Sequence, residues 1–481
     1  MHKSISEKFA DDKPLSEFSA RMEKMNQWQP KSFLFFSLCL SLVTACGGDD
    51  GRGSLVPPVP QPEAGVQDAS MDAVVMDADP DGGMGVNDGA PDAFIGMDGG
   101  AFSCVLTDLV PYTLAVDTEM QSRIISVSAD DDGFLVVWSA FDMADARRNI
   151  YARRVPLTGD LTESLRVTED GWINDGPSTV GVGGGNALVS WYDNSECEDT
   201  PVDATCDYEI QVQQATRDGL VFGDRQTIST NTDLRDDNPT LIRNGDTTLL
   251  AWVRDDTFSR IAQTQILSST GIPIGITREV TTDANSITNP VLTALGDGFA
   301  MAWAEPRMEA RQMVVLPLTR EGTPAGPIDV INTEDNADGY IDLAANELGG
   351  ASVFGVQIDG IRDEVRFRPI NLDGQAVGLE RTLSRAPLRG RDPSIAPFHG
   401  GFIVAYRLLE GSPEGDGEFI RVVTTDVDGA IGDELDLADA QATGGRTSVS
   451  VAPDNTVLVV WPDYQEFVGT TISAVRIRCE D

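Results

Sequence analysis

The apolar positions of this chain gather into short runs that come back at regular intervals. "DGFLVVW" (132–138), "TTLLAW" (247–252), "DGFAMAW" (297–303) and "NTVLVVW" (455–461) each leave a polar turn and finish on tryptophan. Runs of this length, rich in Val, Leu, Phe and Ala and bounded by Asp, Asn or Gly, predict buried β-strands rather than helices. The full aromatic series is Trp138, Trp191, Trp252, Trp303, Phe354, Tyr406 and Trp461. Its spacing is roughly fifty residues, a period that marks a repeat architecture.

Each repeat reads alike. "NDGPSTV" (174–180), "DDNPTLI" (236–242), "SITNPVL" (286–292) and "GRDPSIA" (390–396) predict a turn, often followed by Pro, that opens a first strand. Pro suits the start of a strand because no ladder hydrogen bond is lost there. The strand ending in the aromatic comes second. A third follows, such as "NIYARRV" (149–155), "YEIQVQQA" (208–215) or "EVRFRPI" (364–370). A tight glycine turn comes next, in "TRDGLVFG", "SSTGIPIG", "TREGTPAG", "NLDGQAVG" and "DVDGAIG". Glycine there accepts the positive φ that hairpins require. A fourth strand closes the unit, as in "RQTIST" (225–230) or "IDVINT" (328–333).

Several short strands per repeat predict an all-β fold, a seven-bladed β-propeller of four-stranded antiparallel blades spanning 102–481. The seventh unit stops after "TTISAVRIRC" (470–479) and lacks a fourth strand. "LVPYTLAV" (109–116) reads as a fourth strand without predecessors. Pairing the two closes the last blade with an N-terminal strand and removes two exposed sheet edges. One large aromatic per blade, directly after an apolar run, predicts packing between sheets and not a sugar-stacking platform. The Gly-His and Trp-Asp signatures of WD-repeat proteins are absent.

Ahead of the repeats, "KSFLFFSLCLSLVTAC" (31–46) places an apolar run between a basic residue and small ones. It is too short to span a bilayer and has the size of a signal-peptide hydrophobic segment. Val43-Thr44-Ala45-Cys46 resembles a bacterial lipobox. The resemblance implies a signal region over 1–45, cleavage before Cys46 and lipidation of its thiol. Gly47, where Asp would retain the product, implies delivery to the outer membrane, on its periplasmic or cell-surface side. The polar stretch before the run points to Met22 or Met25 as the true start. Residues 46–101 follow as a tether, with eleven acidic residues against the single Arg52 and frequent Gly, Pro and Ala. Such a composition cannot bury enough apolar surface to fold. Of the remaining cysteines, Cys39 lies in the signal, and the even set Cys104, Cys197, Cys206 and Cys479 predicts two disulfides in an exported chain. Cys197 and Cys206 share one insertion, and Cys104 and Cys479 sit at the two ends of the folded region.

Charge and scarcity narrow the chemistry. The formal net charge is −42, and no lysine occurs after Lys31. An acidic surface of this kind repels nucleic acid and anionic lipid, so the expected membrane link is the lipid anchor alone. With only His2 and His399, a multi-histidine zinc site is excluded, and a serine or cysteine nucleophile would depend on His399. Lysine Schiff-base and P-loop chemistry are excluded as well. Carboxylates, Tyr and Arg remain.

The segments between second and third strands vary most in length, from "VRDDTFSR" (253–260) to "YDNSECEDTPVDATCD" (192–207). Unit-specific insertions gathered on one face mark a binding face. Arg254, Arg307, Arg311, Arg362, Arg385, Arg389 and Arg391 lie in or near them and could converge on an anion. The competing expectation, preferred on so acidic a chain, is that each pairs with a nearby Asp or Glu. The ligand-binding candidates are Arg307, Arg362, Arg389, Arg391, Tyr406 and Tyr464, with no catalytic residue assigned. A sialidase-like reading would draw on Tyr406 with Arg407 and Glu410, or Tyr464 with Glu466. The Ser-x-Asp-x-Gly-x-Thr-Trp box of that family is absent, and "GDGFAMAW" (296–303) only echoes it. Calcium is the one cofactor considered, at "SADDDGF" (128–134) and Asp255-Asp256, although neither has EF-hand spacing. The expectation is therefore a lipid-anchored cell-envelope protein displaying a non-catalytic binding or scaffold module for a protein or glycan ligand. The alternatives are a glycan-directed hydrolase, with a carboxylate among Glu305, Asp363, Glu410 and Asp463, or a purely structural envelope component.

Overall fold

The computed structural model describes residues 103–106, 112–117 and 124–480, apart from short stretches of which the longest are 195–207 and 410–417. The signal region, Cys46, the tether, Cys197 and Cys206 lie outside the described residues.

All strands fall into seven antiparallel sheets, and no helix occurs among the described residues. In the third sheet, Arg235–Asn244, Thr247–Asp255, Arg260–Leu267 and Pro273–Glu279 pair in chain order. The other inner strands are Ile125–Asp130, Asn174–Gly183, Thr288–Leu295, Ala337–Asn346, Arg389–Phe398 and Ser448–Val451. Each inner strand packs on the next, and the last packs on the first, so the sheets form a closed seven-bladed propeller. The seam uses both ends of the folded region. Gly469–Glu480 pairs with Tyr112–Asp117 through Thr470–Ala474 and with Ser103–Leu106 through Ile477–Glu480. The closing strand is thus split in two rather than running through 109–116. Cys104 stands directly opposite Cys479 in this register.

The core is not one cluster but seven, each filling one interface between neighbouring blades. Leu249, Ala251 and Val253 of one second strand face the following blade, while Leu250 and Trp252 face the preceding one. Both faces are buried, so the strand reads as a continuous apolar run in which period-two alternation is hidden. Every interface receives one aromatic of the series, always from the later blade: Trp252 packs on the second blade, Trp303 on the third, Phe354 on the fourth. A buried indole also needs a hydrogen-bond acceptor. The N–H groups of Trp191, Trp252 and Trp303 donate to Asn174 (2.9 Å), Asp236 (3.0 Å) and Glu305 (3.2 Å).

The aromatics do not end their strands as expected. Thr247–Asp255 and Gly298–Arg307 continue past Trp252 and Trp303, and the polar residues beyond stay in the ladder, Arg254 opposite Ile261 and Glu305 opposite Gln312. Backbone pairing is indifferent to side-chain polarity, so much of the variable segments at 253–260 and 304–311 is hairpin rather than loop. The prolines do not open their strands either. Pro177, Pro239, Pro290 and Pro393 sit inside inner strands at register shifts. A bulge tolerates the missing N–H, and Gly176, Asn238, Asn289 and Asp392 before them take φ of 63°, 53°, 44° and 51°. These are the residue types that enter the left-handed region at least cost. Several outer strands are only two residues long, among them Gln226–Thr227 and Asp329–Val330 within the longer stretches expected, which blunts the rim against edge pairing.

The glycine turns carry a second constraint. Gly271, Gly322, Gly374 and Gly429 have φ of 83°, 77°, 77° and 77°. A Cβ on Gly429 would also lie 2.4 Å from the Phe367 ring of the preceding blade, and one on Gly322 would lie 2.8 Å from Leu249. The turn therefore presses on its neighbour. Gly275, with φ of 78° and no atom near its missing Cβ, isolates the backbone term. Gly275→Ala should lower stability by about 1 kcal/mol in denaturant unfolding. Gly429→Ala should lose ~1–3 kcal/mol more from the clash. Equal losses at the two sites would show that blade contact adds nothing.

Candidate functional site

Inner strands begin where second strands end, with Arg235 opposite Asp255 and Arg389 opposite Leu409. The starts of the inner strands therefore share a face with the variable hairpins. On that face the ring axis opens into a cavity of about 360 Å³, and a second space of about 690 Å³ continues along the same strands. The two meet at one position per blade: Ser126, Ser178, Thr240, Val291, Asp342, Ser394 and Ser448 line both. Each lies opposite the residue just before its blade's aromatic, as Thr240 lies opposite Ala251 and Ser448 opposite Val460. The aromatic that packs the interface thereby sets which side chain faces the axis.

Hydrogen bonds link the ring from blade to blade. Ser126 accepts the Thr179 N–H (3.2 Å), Ser178 the Leu241 N–H (3.1 Å) and Ser394 the Val449 N–H (3.2 Å). Asp342 performs the same task for Ile395 (3.0 Å) and also accepts from the Ser394 hydroxyl (2.9 Å) and the Leu343 N–H (2.9 Å). Burial pushes its carboxyl above the usual range; those three donors and the nearby positive charge of Arg446 oppose the shift.

Two positions before the ring residue, the blades carry Gly176, Asn238, Asn289 and Asp392 at the bulge. The first, fifth and seventh blades depart from this, with Ile124, Tyr340 and Arg446 in that place. All three line the cavity, and the Arg446 guanidinium lies 4.9 Å from the centre of the Tyr340 ring. Arg446 Nη2 is shielded from solvent and has no hydrogen-bond acceptor among the described residues. Pro177, Pro239, Pro290 and Pro393 supply an apolar collar around the same space.

The residues singled out from sequence are placed elsewhere. Arg389 and Arg391 are brought together, but on Asp363: Arg389 donates at 2.8 Å and Arg391 through its Nε. Asp363 is buried, so this is a bridge between the fifth and sixth blades. Tyr406 is wholly buried and its hydroxyl donates to the Leu383 carbonyl (3.2 Å), so it packs in the core and is not presented to a ligand. Burial raises the pKa of that phenol. For Arg307, Arg362 and Tyr464 only backbone positions are described, opposite Ala310, Ile358 and Thr470. Arg385, Glu410 and Glu466 lie outside the described residues. Arg254 chelates Asp236 at 2.9 and 3.0 Å, and Arg407 joins Asp392 (2.8 Å) to Glu418 (2.6 Å). Glu305, a candidate acid, is buried and accepts from Trp303. At the calcium candidates, Asp130 pairs with Arg154 (2.7 Å) and caps its own turn at Asp132, while Asp255 faces Arg260 (3.6 Å). No group of three His, Cys, Asp or Glu side chains is arranged for a metal among the described residues. His399 is half-buried at a φ of 45°, edge-on to Phe398.

Tyr340, Asp342 and Arg446 escaped sequence reasoning because no motif marks them. Aligning the repeats on their aromatics would have exposed all three as departures from the small or turn-forming residues of most other blades.

No family model matches this chain, and no curated protein matches it. Solved structures do. A protein of unknown function from Dyadobacter fermentans aligns at 8% identity with a TM-score of 0.47, covering 78% of this chain and 99% of its own. A subtype N10 neuraminidase-like protein of A/little yellow-shouldered bat/Guatemala/060/2010 aligns at 11% identity and TM-score 0.40, over 79% and 100% of the two chains. Trypanosoma rangeli sialidase, in complex with the inhibitor DANA, aligns at 10% identity and TM-score 0.40, over 75% of this chain and 55% of the other. At such identities and scores the likeness transfers no activity or site, and the architecture rests on the strand pairing itself.

Proposed function

We propose that this chain is an exported, lipid-anchored binding module that presents the hairpin face of its propeller to a ligand without transforming it. The observation that carries the binding reading is the axial cavity, lined on the face the variable segments share by Arg446, whose Nη2 has no acceptor among the described residues. Two of the candidate acids are, by contrast, engaged in holding the fold: Asp363 bridges two blades and Glu305 binds a buried indole. Export is supported by the Val43-Thr44-Ala45-Cys46 stretch and by the cysteine pair that meets at the seam. Cysteines facing each other across an antiparallel pair have Cα separations within disulfide range.

Two measurements test this reading. Thermal unfolding of the full chain against a panel of glycans, peptides and small acids should reveal a ligand that raises the melting temperature, stabilising the fold by about 2.7 kcal/mol when present at 100 times its Kd. The same mixtures should hold no product after prolonged incubation; turnover would replace the binding module with an enzyme. Peptide mapping of the exported protein before and after reduction should recover a fragment joining Cys104 to Cys479. Free thiols at both positions would count against passage through an oxidising compartment.

A further inference from the structure

We propose that Arg446 and Tyr340 form a recognition site for the carboxylate of a small ligand in the axial cavity. This deepens the binding-module reading and rests on it. Three observations converge. The Arg446 guanidinium is stacked at 4.9 Å from the centre of the Tyr340 ring, which fixes its plane, and its Nη2 is closed off from water without an acceptor among the described residues. Arg446 itself is half-buried and lines the cavity, so its more open N–H groups are the ones an entering acceptor meets. The neighbouring Asp342 is engaged elsewhere, its Oδ2 accepting from Ser394 and Ile395 and its Oδ1 from Leu343.

The remaining walls define the ligand further. A planar fork of N–H donors suits the two oxygens of a carboxylate better than a single neutral oxygen. The proline collar and the Tyr340 ring offer apolar surface for a compact body next to that charge. A volume of about 360 Å³ lies near the lower end of the range for small-molecule sites and excludes a folded partner. Most other described arginines near this face are paired with Asp or Glu, as Arg254, Arg389, Arg391 and Arg407 are, which sets Arg446 apart.

The test is calorimetric titration of the full chain with N-acetyl-L-leucine, its uncharged primary amide and inorganic phosphate. The acid should bind one to one, and the amide and phosphate at least ~10-fold more weakly. Arg446→Gln should lose at least ~10-fold in affinity for the acid, while Arg381→Gln, at an exposed arginine far from the cavity, should lose nothing. Arg446 has no hydrogen-bond acceptor among the described residues and acts on Asp342 only through space, so Arg446→Gln should lower the melting temperature of the unliganded chain less than Arg407→Gln, which removes two ion pairs. Tyr340→Ala should weaken the acid without abolishing its preference over the amide. Equal binding of acid and amide, phosphate as the preferred ligand, or full affinity in Arg446→Gln would overturn the assignment. Should the thermal panel yield a ligand whose binding is untouched by Arg446→Gln, the binding module would stand and this site would fall.

Discussion

The interface between neighbouring blades is the contact on which this molecule depends. No blade has a core of its own; every buried cluster belongs half to one sheet and half to the next. A sheet with both faces apolar cannot remain in water alone, so the repeats are stable only as a stack. A linear stack would leave two such faces bare. Closing the ring removes both, and the chain achieves closure by laying Tyr112–Asp117 and Ser103–Leu106 against its last strand. Leu114 then joins the cluster between the seventh and first blades, beside Trp138.

The same packing dictates the axis. Side chains alternate along a strand, so fixing the aromatic of the second strand against the preceding blade fixes its neighbour's ladder partner toward the axis. Seven repeats of that rule yield a ring of five hydroxyl residues, Val291 and a single carboxylate. Function in such an arrangement arises from exceptions to the repeat. Packing constrains the blade interfaces tightly and the bulge position loosely, which leaves room for Tyr340 and Arg446 where four other blades carry turn formers.

Much of the architecture was legible in the sequence because it is written in periodic features. The recurring Trp138, Trp252, Trp303 and Trp461 gave the blade count, and the missing strand after 470–479 gave the closure. What was misread has local causes. Trp252 reads as a strand end because the apolar run finishes there, yet Arg254 and Asp255 stay in the ladder and place their charge on Asp236 and Arg260. Pro239 reads as a strand opener because bulges leave no periodic trace. The site residues were the least legible: Tyr406 has the chemistry of a ligand residue but the periodicity of a core one, and periodicity decided. Arg389 and Arg391 did converge, on a buried acid that their sequence separation from Asp363 concealed.

Ring closure can be examined most directly by native-state hydrogen exchange of the full chain, read by mass spectrometry at peptide resolution. Amides of 112–117 and 470–478 should exchange through the same global opening as the inner strands at 235–244 and 389–398, with matching free energies across all of them. Early, independent exchange of 112–117 and 470–478, with the other six blades still protected, would contradict a stack held together by its closure.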